Sequence, residues 1–138
     1  MNFVLDAPVA LAWAFEDERD GLALSVLDAL ESSEAVTSHI WPLEVSNALI
    51  TATRRRRISA ADANRYAALL LELPIVVEPL ERRRPLSEVR RLAGSHQLSA
   101  YDASYLEVAL RLGVPLASGD RRLNAAAAEA GVEVLVGS

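Results

Sequence analysis

The sequence predicts an α/β fold of three layers, α/β/α, built on a mostly parallel five-stranded sheet. Three observations carry that reading. Short apolar runs recur along the chain, and the stretches between them show apolar residues at helical spacing. Strands separated by helices need crossover connections, which cover both faces of a parallel sheet. The chain has 138 residues, a size that suits a single domain over 1–138.

Phe3-Val4-Leu5 is an apolar run ending at an acid and reads as a buried first strand. Pro8 suits the first turn of a helix through Val9, Trp13 and Phe15, because it has no N–H to lose there. A second helix over Asp20 to Ser32 carries Leu24, Leu27 and Leu30 on its apolar face, and Ala35-Val36-Thr37 forms the second strand. Pro42 opens a third helix, with Val45, Ala48 and Leu49 apolar, which ends in Arg54-Arg55-Arg56-Arg57, cations that suit the helix dipole. Ser59, three residues before Asp62, caps a fourth helix striped by Tyr66, Leu69, Leu70 and Leu73 and stopped by Pro74. Ile75-Val76-Val77 is the third strand, and a helix from Pro85 to Ser95 follows. Ser99 caps the next helix, with Tyr101, Tyr105, Val108 and Leu112 on one face and Gly113 at its end. Val114 to Ala117, Asp120 to Ala130 and Val132 to Val136 complete the pattern as strand, helix and fifth strand.

Composition narrows the chemistry. Without cysteine, the chain has no disulfide, thiol nucleophile or zinc ribbon. The two histidines, His39 and His96, read as polar surface or cap residues, which leaves carboxylate oxygens as the plentiful ligands. The net charge is −5, so the molecule as a whole does not attract nucleic acid. Every one of the 14 basic residues is arginine, with runs at Arg54–Arg57 and Arg82–Arg84. These runs suit solvated helix ends or local phosphate contacts. No apolar run approaches the ~20 residues of a membrane span and the N-terminus lacks a basic leader, so a soluble cytoplasmic protein is expected.

A parallel sheet places ligands beyond the carboxyl ends of its strands. Asp6 follows the first strand, and Asp120 follows the fourth after Ser118-Gly119; Glu44 and Asp102 lie in the first turns of helices. Each alone suits a cap or a first-turn acid. Together they crowd one rim. At an assumed ~5 Å and an effective dielectric of about 20, each like-charged pair costs roughly 3 kcal/mol. A hard divalent ion such as Mg²⁺ or Mn²⁺ relieves that repulsion, and phosphodiester hydrolysis is the chemistry it suggests.

Four segments stand in order along the chain: Phe3-Val4-Leu5-Asp6-Ala7, Pro42-Leu43-Glu44-Val45-Ser46-Asn47-Ala48-Leu49, Leu98-Ser99-Ala100-Tyr101-Asp102-Ala103 and Leu116-Ala117-Ser118-Gly119-Asp120-Arg121-Arg122-Leu123. In these the sequence resembles the PIN-domain family, and within it the VapC-type ribonuclease toxins of bacterial toxin–antitoxin pairs. The resemblance implies a PIN-like fold and a Mg²⁺- or Mn²⁺-dependent endoribonuclease. It assigns metal binding to Asp6, Asp102 and Asp120, and activation or orientation of the attacking water to Glu44. Asn47 matches a position that orients Glu44, and Ser118 stands where the family usually has threonine. The family pattern also implies an RNA substrate, a small cognate antitoxin and a homodimer. One departure is Pro8, where the family commonly has serine or threonine.

Two rival readings differ in kind. A nucleotide-binding or receiver-type sheet requires a glycine-rich loop after the first strand, and Asp6-Ala7-Pro8-Val9-Ala10 offers none. A non-catalytic PIN-like module that only binds RNA or protein keeps the fold and does not need the acids. Trp13 and Trp41 read as packing residues, and Tyr101 and Tyr105 as core.

Overall fold

A computed structural model describes residues 2–137. Among them the sheet has four parallel strands, β1 (Phe3–Leu5), β2 (Ala35–Thr37), β3 (Ile75–Val77) and β4 (Leu116–Ala117), in the order β3-β2-β1-β4. The helices are α1 (Ala7–Ala12), α2 (Gly21–Ala29), α3 (Trp41–Arg54), α4 (Ala60–Glu72), α5 (Arg90–His96), α6 (Ala100–Leu112) and α7 (Arg121–Glu129). A 3₁₀ turn at Glu16–Glu18 precedes α2, and a π-helical turn at Pro85–Val89 leads into α5.

The strand order dictates the layers. The chain steps outward from β1 to β2 to β3, then returns past β1 to β4. Right-handed crossovers put the helices of the outward steps on one face and those of the return on the other. Accordingly α1 packs on α2 and α3, while α6 packs on α5 and α7 and lies across β1, β2 and β4. The reversal falls between β1 and β4, so the crevice beyond their carboxyl ends is the switch point where such sheets bind ligands.

The central strands are covered on both sides, and Phe3, Val4, Leu5 and Leu116 are almost fully buried. With Leu106 and Leu123 they form the heart of the core, each side chain contributing about 2 kcal/mol through burial. β3, at the sheet edge, leaves Val76 and Val77 exposed. Caps set the helix starts. Ser59 accepts from the Asp62 N–H at 3.0 Å and Ser99 from the Asp102 N–H at 3.1 Å, as the sequence predicts. Gly113 ends α6 at φ 66°, in the left-handed region that glycine tolerates.

Four expectations need correction. Leu69 and Leu112, expected on the apolar faces of α4 and α6, are exposed. The fifth strand, expected over Val132 to Val136, is a single parallel bridge between Val134 and Leu116. β4 has only two residues, and on that side Leu116 alone pairs, donating to the Glu133 carbonyl and accepting from the Leu135 N–H, each at 2.9 Å, while Ala117 faces β1. The apolar face of α2 is formed by Ala23, Val26 and Leu30, with Leu24 exposed. Its rotation is fixed where the Trp13 indole N–H bonds the Ala23 carbonyl at 2.7 Å. Tyr101, expected in the core, is 61% exposed at the start of α6, whereas Tyr105 is 1% exposed.

Candidate active site

The site grows out of the strand ends. β1 delivers Asp6 into the crevice, where it caps α1: its Oδ1 accepts from the Val9 N–H at 3.0 Å. β4 delivers Asp120, which caps α7 in the same way, accepting from the Leu123 N–H at 3.0 Å. Each cap uses the Oδ1 oxygen of its carboxylate. Ser118 joins the two. Its buried Oγ accepts from the Asp120 N–H at 3.0 Å, and its hydroxyl also bonds the Asp6 carboxylate. The amide of Asn124 holds this turn from below by donating to the Ser118 carbonyl at 2.7 Å.

The remaining two acids arrive on helices. Glu44 lies half-buried in the first turn of α3. That turn is tied to β1 by the Trp41 indole N–H, which bonds the Asp6 carbonyl at 3.2 Å. Asp102 lies in the first turn of α6. A pair of buried serines anchors the following turn of α6 to the end of β2: Ser38 and Ser104 hydroxyls meet at 2.7 Å, and Ser104 also bonds the Tyr101 carbonyl.

The charges of the four acids act on one another. Asp6, 3% exposed, has its pKa raised from 3.8 to about 6. Burial is the main cause, and the charges of Asp120 and Glu44 add to it; the bonds from Ser118 and Val9 oppose it. Asp102 is also raised, by burial and then by Asp120, against the bond from Ser99. The Tyr105 hydroxyl donates to Glu44 Oε1, and burial followed by this bond and the charges of Glu44, Asp6 and Asp102 pushes its pKa well up. It is therefore a permanent proton donor to the carboxylate. The sequence-predicted quartet thus forms one electrostatic cluster. Among the described residues none of the four carboxylates pairs with an arginine.

The donor set suits Mg²⁺ or Mn²⁺ in kind, being all hard oxygen with a buried carboxylate that resists ionisation alone. It is not drawn together into a finished shell: among the described residues no three acids stand close enough to hold an ion as placed. Asn47 is exposed one turn beyond Glu44, and the hydrogen bond to that carboxylate comes from Tyr105 instead. Pro8 sits exposed in the first turn of α1, and Asp6 takes its bonds from Val9 and Ser118. The sequence reading missed Tyr105, Asn124 and the two serines. For Tyr105 a signal was present: it lies three residues beyond Asp102 on the same helix face, and a buried tyrosine hydroxyl requires a partner.

Comparison with known proteins identifies the family and the fold. The family model for the PIN domain matches residues 3–129. Exonuclease VapC9 of Pyrobaculum aerophilum is 38% identical over 85 residues, which cover 62% of this chain and 61% of that relative. The matched stretch thus spans less than two thirds of the curated relative. The crystal structure of PAE2754 from Pyrobaculum aerophilum superposes with a TM-score of 0.67 at 30% identity, covering 91% of this chain and 87% of that one. The chain belongs to the PIN-domain family.

Proposed function

We propose that the chain is a metal-dependent endoribonuclease and the toxin component of a bacterial toxin–antitoxin pair. The observation that carries this reading is the cluster of four carboxylates at the switch point, none of which pairs with an arginine among the described residues. Asp6, Asp102 and Asp120 would hold Mg²⁺ or Mn²⁺. When bound, such an ion acidifies water and neutralises charge on a phosphate. The chain's own residues do the rest. Val9, Leu123 and Ser118 fix the two capping aspartates. Glu44, bonded to Tyr105 through one oxygen, keeps the other to accept a proton from the attacking water and align it. The water oxygen bonds to phosphorus, the bond to the departing ribose oxygen breaks, and that oxygen takes a proton from solvent.

A negatively charged cleft also suits an inhibitor carrying arginine, whose planar fork bridges two carboxylates. A small cognate antitoxin that inserts such a side chain would silence the site. A homodimer and a cytoplasmic location complete the reading. Among the described residues no helix is long and apolar enough to cross a membrane.

The test uses circular and linear RNA with Mn²⁺, with EDTA, and with Asp102→Asn. An endoribonuclease opens the circle in Mn²⁺ and loses that activity on chelation or in the variant. Shortening of linear RNA alone matches the exonuclease named for the relative. Binding without cleavage, indifferent to EDTA, identifies a non-catalytic module.

A further inference from the structure

Among the described residues the Glu44 carboxylate has one hydrogen-bond partner, the Tyr105 hydroxyl. Glu44 is half-buried in the first turn of α3 and faces the charge of Asp6. Tyr105 reaches it from the opposite helical layer, 61 residues further along the chain. Both ends of this contact are braced. The Trp41 bond to the Asp6 carbonyl fixes the start of α3, and the Ser38–Ser104 bond fixes α6 beside Tyr105. The Tyr105 ring is 1% exposed, so its hydroxyl has no water to turn to. Without the hydroxyl, repulsion from Asp6 favours turning the Glu44 carboxylate out to solvent.

We propose that Tyr105 is a positioning residue for cleavage: its hydroxyl keeps the Glu44 carboxylate in the cleft against the repulsion of the neighbouring acid. The proposal rests on the nuclease reading above. It differs from the family resemblance in taking the orienting contact from α6 rather than from Asn47 on α3.

The experiment compares wild type, Tyr105→Phe, Glu44→Gln and the double variant in three measurements: kcat and KM on RNA, Mn²⁺ affinity by electron paramagnetic resonance, and urea unfolding without metal. Tyr105→Phe is expected to lower kcat about tenfold to a hundredfold, the usual effect of losing such a supporting bond. KM and Mn²⁺ affinity should stay within about threefold of wild type, because the substrate and metal contacts remain. In the Glu44→Gln background the same change should have little further effect on kcat, since both substitutions remove one function. Unchanged kcat in Tyr105→Phe overturns the proposal. So does a loss of Mn²⁺ binding or of the folded state, which would make the residue structural, and so does an equal loss in the Glu44→Gln background. A wild type that cleaves no RNA overturns the nuclease reading itself, and the positioning role with it.

Discussion

Acids meet in two different ways in this molecule. At the far side of α6, Arg111 stands between Glu107 and Glu78: its Nε bonds Glu107 at 2.8 Å and its Nη2 bonds Glu78. At the end of α3, Arg57 bonds Asp17 at 2.9 Å and Glu18 at 3.1 Å while lying over the Phe15 ring. At the switch point, four carboxylates gather and among the described residues none of them pairs with an arginine, although the chain has arginine in abundance. The first two arrangements relieve their own repulsion. The third stores it, which is what the proposed cation site requires.

The switch-point acids should make stability depend on pH. Asp6 has its folded pKa raised from 3.8 to about 6, so between those values the folded protein binds more protons than the unfolded chain. Its contribution is therefore fully present below about pH 4 and is lost as pH rises through about 6, a change of about 3 kcal/mol. Asp102, raised as well, acts in the same direction. Urea unfolding in EDTA across this range isolates the effect as the difference between wild type and Asp6→Asn. A difference that does not change with pH breaks the comparison.

In the arginine-bridged region, removing a charge should destabilise the fold, by a smaller amount. Glu107 is 8% exposed, and its carboxylate is paired with Arg111 at 2.8 Å. Arg111→Gln should lower stability by about 2 kcal/mol near neutral pH, because it strands a largely buried carboxylate. Urea midpoints measure it. A variant as stable as wild type would mean that the bridge is solvated and contributes little.

What the sequence made legible follows from distance along the chain. The order of strands and helices, the Ser59 and Ser99 caps and the rim position of the four acids all rest on local patterns. The two-residue length of β4 did not show, because the pairing that Val132–Val136 finds depends on where Ser118-Gly119 turns the backbone. The exposure of Tyr101 and Leu24 depends on helix rotation, which is fixed by distant contacts such as Trp13 to Ala23. Tyr105 was legible as a buried ring but not as a donor to Glu44, because that partner lies in another layer. The acids themselves could be read because each sits beside a strand end or a helix start.

The central claim is that the four acids are held together against their own repulsion for the sake of a cation. Thermal melting of wild type and Asp6→Asn at neutral pH, in EDTA and in Mn²⁺, tests it most directly. Asparagine keeps the cap on α1 and removes one charge. The variant should melt above wild type in EDTA, and wild type alone should gain strongly from Mn²⁺, by about 2.7 kcal/mol at a hundredfold excess over Kd. A variant that melts below wild type in EDTA, or a wild type indifferent to Mn²⁺, would contradict the account and make these acids ordinary helix caps.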